Sequence, residues 1–154
     1  METTTTQSRR LVLAVADIAG FARRCKTLDD QEVLTALDRF YEAVGEQAAQ
    51  VGGTVVKCIG DAVLMTFPIE TAQAAVTALS EMRSILNRDA MNPILKGGEV
   101  HVRIHCGPVA CGEIGPKGAK RYDVIGNAVN ELFMIREKGV TISPAMQDLL
   151  AESH

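Results

Sequence analysis

Two aspartates stand where a carboxylate is hard to keep. Asp17 closes the apolar run Leu11-Val12-Leu13-Ala14-Val15-Ala16, and Asp61 follows Gly60 in the step after Thr54-Val55-Val56-Lys57-Cys58-Ile59. Both runs read as buried strands, so each charge ends or interrupts apolar surroundings. An unpaired carboxylate there costs several kcal/mol even after relaxation. Two of them brought together repel unless a divalent cation lies between them. The chemistry that the pair offers is metal binding. Taken singly, Asp17 also reads as a helix cap or strand-end acceptor, and Asp61 as a hairpin-turn residue.

The elements that must position them follow from periodicity. Residues 10–16 are aliphatic and predict a strand buried on both faces. A helix is expected from Asp29 or Asp30, an aspartate serving as N-cap, with Val33, Leu34, Leu37, Phe40, Tyr41 and Val44 on one stripe. It should end near Gly52-Gly53. Residues 54–59 and 62–67 predict a hairpin whose two-residue connection is Gly60-Asp61. After Pro68 a second stripe runs through Ala72, Ala75, Val76, Leu79, Met82 and Leu86. Residues 100–105 and 109–114 read as a strand pair separated by Gly107-Pro108, and Arg121 to Ile125 as a short extended piece. A helix from Asn127 or Ala128 to Glu137, a strand at 140–142 and a helix opened by Pro144 complete the chain. This order predicts an α+β fold, a ferredoxin-like βαββαβ core with an antiparallel-rich sheet and helices on one face.

Composition narrows the function classes. The 154 residues suffice for one domain with its own core, expected over 10–154. A net charge of −3 and the lack of a basic run argue against a nucleic-acid surface. No apolar run reaches membrane-spanning length. Cys25, Cys58, Cys106 and Cys111 lack paired metal-ligand spacing and read as reduced, mostly buried thiols of a cytoplasmic protein. Residues 1–9, with four consecutive threonines, predict a disordered polar tail.

Several blocks carry a resemblance. They are Ala16-Asp17-Ile18-Ala19-Gly20-Phe21, Gly52-Gly53 through Gly60-Asp61, Arg103-Ile104-His105-Cys106-Gly107-Pro108-Val109, Gly112-Glu113-Ile114-Gly115, and Tyr122-Asp123 through Asn130. In this order and spacing, from about residue 10 to residue 130, the chain resembles the class III nucleotide cyclase catalytic domain. The resemblance implies an adenylate cyclase-like lyase that converts ATP to 3′,5′-cyclic AMP and pyrophosphate with two Mg2+ or Mn2+ ions. Asp17, Asp61 and the Ile18 carbonyl would hold the ions, and amides near Gly20 and Phe21 would meet the β- and γ-phosphates. Lys57 and Asp123 would read adenine, since a lysine donates to N1 and a carboxylate accepts from the N6 amine. Asn130 would bond the ribose, and Lys117 would face the phosphates, although a solvated turn lysine explains it as well. His105 reads as a packed core histidine. The family assembles its site between two chains, which implies a homodimer with composite sites.

Two departures accompany the match. The family's transition-state arginine falls at Met134, which cannot donate a hydrogen bond; such a loss typically costs about 100- to 1,000-fold in rate. Arg136, two residues on, should point away from the site if the helix continues. The usual terminal hairpin is also absent from the sequence. These departures imply a second reading, a degenerate cyclase-homology domain that binds nucleotide or a partner protein.

Overall fold

The computed structural model describes residues 6–152. Its centre is β1 (Gln7–Ile18), whose residues Leu11 to Ala16 are buried on both faces. Two antiparallel neighbours flank it, β3 (Ala62–Pro68) and β4 (Val100–Ile114). With β2 (Thr54–Ile59) and β5 (Arg121–Ile125) the sheet order is β2-β3-β1-β4-β5, and β6 (Val140–Ile142) pairs in parallel with β4. This is the antiparallel-rich α+β architecture that the element order predicts.

The short α1 (Phe21–Cys25) follows β1, and the long α2 (Asp30–Gln50) starts at a capping box. There Asp29 accepts from the Glu32 amide at 2.8 Å, and the Glu32 carboxylate accepts from the Asp29 amide at 3.4 Å. The buried stripe of α2 is Ala36, Phe40, Val44 and Ala48, rotated from the expected one; Leu34 is 71% exposed. This stripe packs against both the sheet and the neighbouring helix α3 (Ala72–Asn87), with Phe40 its largest buried side chain. A core of Val12, Ala14, Ala16, Phe40, Phe67, Leu79 and Met82 fills this face, joined by Met146 of α5 (Pro144–Glu152).

The opposite face, formed by the alternate residues Leu11, Leu13 and Val15, is covered by α4 (Asn127–Met134) through Ala128 and Leu132. So α2, α3 and α5 share one face and α4 stands alone on the other.

Further expectations are corrected. Gly107-Pro108 is no turn: β4 runs unbroken through it, with Gly107 opposite Leu11 and Pro108 opposite Arg10. The glycine serves close approach instead, since a Cβ there would lie 2.7 Å from the Ala128 Cβ of α4. The expected tail is partly strand, because Gln7, Ser8 and Arg9 pair with Cys111, Ala110 and Val109; residues 1–5 lie outside the described residues. Finally, α4 ends at Met134 rather than Glu137, and Ile135 is already extended, so Arg136 is beyond the helix. All four cysteines are free as expected, but only Cys106 and Cys111 are buried, Cys58 being exposed.

Candidate active site

Strand register brings the two aspartates to one corner. Ala16 lies opposite Val63, and continuing that antiparallel register by two residues sets Asp61 against Ile18. The hairpin allows it: Ile59 pairs with Ala62, and Gly60 adopts the left-handed φ of 58° that the two-residue connection requires. As a result the Ile18 amide donates to Asp61 Oδ2 at 3.0 Å. Asp61 is thereby tied to the residue that follows Asp17. Tyr41 of α2 braces the turn from outside by donating its hydroxyl to the Gly60 carbonyl. Burial pushes the Tyr41 phenol above its ordinary pKa, and the nearby Cys58 and Asp61 push it in the same direction.

Asp17 has a partner that the sequence reading did not assign. Arg103 of β4 donates from Nη1 to Asp17 Oδ2 at 2.5 Å. Asp17 lies directly opposite His101, and Arg103 is the diagonal neighbour two residues along, within reach of a long side chain. No local pattern marks Arg103 as a site residue. The available signal was a charge in the apolar stretch Val102-Arg103-Ile104, which becomes informative only with the β1–β4 register.

Beyond Ile18 the chain turns at Gly20, in left-handed conformation, into α1, and Phe21 packs half-buried against the core. A polar cleft of about 440 Å³ opens here, lined by Ala19, Gly20, Arg23, Arg24 and the Gly97-Gly98 segment. Gly20 and Phe21 therefore adjoin the Asp17 corner.

Lys57 and Asp123 meet elsewhere. They sit on β2 and β5, the two edges of the sheet, yet Lys57 Nζ is 3.1 Å from Asp123 Oδ2. The second carboxylate oxygen of Asp123 accepts from the Val124 amide at 2.8 Å, which fixes the group. Lys57 also lines a cleft of about 380 Å³ with Ile59, Ile125, Asn130 and Phe133. Lys57, Asp123 and Asn130 are thus gathered together. This cleft and the one beside Gly20 share no lining residue.

Lys117 is not gathered with either group. It is exposed in the turn between β4 and β5, at the other end of β4 from Arg103. His105 is buried as expected and bridges elements, with Nδ1 2.6 Å from Ser143 Oγ and Nε2 3.1 Å from Glu131 Oε2. Met134 is 73% exposed at the end of α4.

The donor set at the corner fits a hard divalent cation. Two carboxylates and the Ile18 carbonyl are oxygen ligands of the kind that Mg2+ and Mn2+ select. The position already attracts positive charge, since a guanidinium rests on Asp17. Among the described residues no three His, Cys, Asp or Glu side chains converge, so an ion here would complete its shell with main-chain, substrate or water oxygens.

A ferredoxin-like α+β domain with an acidic corner beside a polar cleft, and a second cleft lined by Lys57 and Asn130, is the class that these features define. Comparison with known proteins specifies it further. Residues 4–147 match the family described as the adenylate and guanylate cyclase catalytic domain. An adenylate cyclase of Anabaena cylindrica is 26% identical over 153 residues, covering 95% of this chain and 30% of the relative. The rat guanylate cyclase soluble subunit beta-2 is 25% identical over 130 residues, covering 81% of this chain and 19% of that protein. Among solved structures, the adenylyl cyclase CyaB from P. aeruginosa superimposes with a TM-score of 0.85 at 25% identity, covering 96% of this chain and 83% of that one. The chain belongs to the adenylate and guanylate cyclase catalytic domain family. It spans less than a third of the length of these two curated relatives. Both substrate types occur among the relatives, so membership gives a nucleotide cyclase domain without choosing the base. Among the described residues no helix is long and apolar enough to cross a membrane.

Proposed function

We propose that this domain cyclises ATP to 3′,5′-cyclic AMP and pyrophosphate, at sites shared between two copies of the chain. The observation that carries the reading is the Asp61–Ile18 hydrogen bond, which seats Asp17 and Asp61 on one corner beside the Gly20 turn. Asp17, Asp61 and the Ile18 carbonyl would hold two Mg2+ or Mn2+ ions. When bound, such ions acidify the ribose 3′-hydroxyl and neutralise charge on the triphosphate. The chain's own part is to fix the geometry. The main chain at Gly20 and Phe21 receives the β- and γ-phosphates, aligning the α-phosphorus with the 3′-oxygen. A bond forms between that oxygen and the α-phosphorus, the bond to pyrophosphate breaks, and the hydroxyl proton leaves to water.

Base choice rests on the Lys57–Asp123 pair. Lys57 offers donors to adenine N1, and Asp123 accepts from the N6 amine, whereas guanine presents the reverse pattern at those edges. Asn130, in the same cleft, would bond the ribose.

The homodimer is supported by the separation of the two clefts within one chain and by the rim of the base cleft. Ile59, Ile125 and Phe133 are exposed apolar residues there, a patch that a partner surface would cover. A two-fold pair would bring one copy's corner to the other's base cleft and build two equivalent sites.

One assay decides. Purified chain with Mn2+ and ATP should form cyclic AMP, more readily than cyclic GMP from GTP, and Asp17→Ala should abolish it. Nucleotide binding without product in either case selects the second reading, a regulatory cyclase-homology domain, which the apolar Met134 at the end of α4 favours.

A further inference from the structure

Arg103 is the charged group at the corner that the proposed chemistry leaves without a task. Its Nη1 lies 2.5 Å from Asp17 Oδ2, and its side chain is 15% exposed against 24% for Asp17. Its Nε is buried and has no hydrogen-bond partner among the described residues. A guanidinium kept purely to hold strands together is normally satisfied on all its buried donors, because an orphaned one forfeits its hydration. This one touches the acid through one arm and leaves the nearer nitrogen unpaired. The other residues near Asp17 do not neutralise it. His101, directly opposite, uses Nδ1 to accept from the Gly139 amide, and Asp61 is committed through Oδ2 to the Ile18 amide.

We propose that Arg103 is a resident counter-cation of Asp17 which a divalent ion must displace, so that Arg103 sets how tightly this chain binds metal. The proposal rests on the reading of the corner as a metal site. Two carboxylates at one corner repel, and the guanidinium halves their net charge in the metal-free chain. An ion arriving at Asp17 Oδ2 would compete for the same lone pairs and would repel the guanidinium at contact distance. Binding therefore includes the work of breaking a short charge-assisted hydrogen bond. The released guanidinium stays anchored on β4 beside the corner, where the anionic substrate would arrive with the ion. The corner would thus be poised to take metal together with nucleotide rather than metal alone.

The test is Mn2+ binding to the full chain without nucleotide, followed by the electron paramagnetic resonance signal of free Mn2+. Arg103→Met should bind Mn2+ about tenfold more tightly than wild type, and Arg103→Lys, a single-pronged cation, about threefold more tightly. If Arg103 instead only holds Asp17 in place, both variants bind Mn2+ equally or more weakly, and the proposal is overturned. Circular dichroism checks folding; should Arg103→Met not fold, the lysine variant carries the same two outcomes. Asp17→Asn separates this proposal from the reading beneath it. Loss of Mn2+ binding in Asp17→Asn with unchanged affinity in the Arg103 variants sinks only the counter-cation role. Wild-type affinity in Asp17→Asn sinks the metal corner itself, and the proposal with it.

Discussion

The acidic corner and the base cleft are built by different means. At the corner, Asp17 and Asp61 are fixed by backbone: adjoining strands in fixed register, a two-residue hairpin and one amide donated to Asp61. At the cleft, Lys57 and Asp123 come from strands on opposite edges of the sheet, and the only direct link between the two side chains is an ion pair whose lysine is 40% exposed. An exposed pair of this kind contributes little to stability, so what it offers is recognition. Register sets the corner through neighbouring backbone, with Arg103 reaching Asp17 from the adjoining strand; an edge-to-edge pair depends on the shape of the whole sheet. Chemistry that tolerates no misplacement would sit at the first, and selectivity, which can be graded, at the second.

Substitutions can break this contrast. Asp17→Ala or Asp61→Ala should lower cyclic nucleotide formation by about a thousandfold or more, measured by chromatography of the product. Lys57→Glu places two carboxylates together at the cleft. It should lower the preference for ATP over GTP by about ten- to a hundredfold while leaving Mn2+ binding intact. An unchanged preference would remove the base-reading role of the cleft. Gly107→Val should cost about 1–3 kcal/mol in urea unfolding, because its side chain would meet Ala128 and push α4 outward. The same variant should raise KM through Asn130 more than it alters the corner.

Smaller effects sharpen the picture. Met134→Arg should raise turnover by about tenfold if a cation at the end of α4 reaches the transferring phosphate. No change would mean that the exposed Met134 is not the limiting feature. Tyr41 reports on the corner through pH. Its phenol is raised above 10.0 in the folded chain, first by burial and then by Cys58 and Asp61. The folded state thus holds the proton more tightly than the unfolded one. This contribution to stability is complete below the unfolded pKa and is lost as pH rises through the folded value. Tyr41→Phe should flatten that alkaline decline and, by removing the bond to Gly60, cost about 0.5–1.5 kcal/mol near neutrality, read from chemical unfolding curves.

What local pattern could reveal was mainly the alternation and punctuation of the chain. The apolar run before Asp17, the Gly60-Asp61 hairpin and the Asp29 cap all appear where neighbouring residues dictate them. Gly107-Pro108 misled because glycine and proline usually mark a turn. Here β1 offers an antiparallel partner along both halves of β4, and the glycine is needed for α4 instead. Leu34 misled because an apolar stripe on a helix does not say which part of the stripe its neighbours leave room for.

The amino-acid order by itself determined most of the strands and helices, though not all of their ends, which side chains carry charge, and the family to which their spacing belongs. Those properties depend on residues a few positions apart, within the reach of period and turn chemistry. Tertiary structure alone decided that Asp61 is tied beside Asp17, that Arg103 rests on Asp17, and that Lys57 meets Asp123 across 66 positions. Each is set by how strands far apart in the chain align and how the sheet twists, and a one-residue slip in register would turn those side chains to the other face.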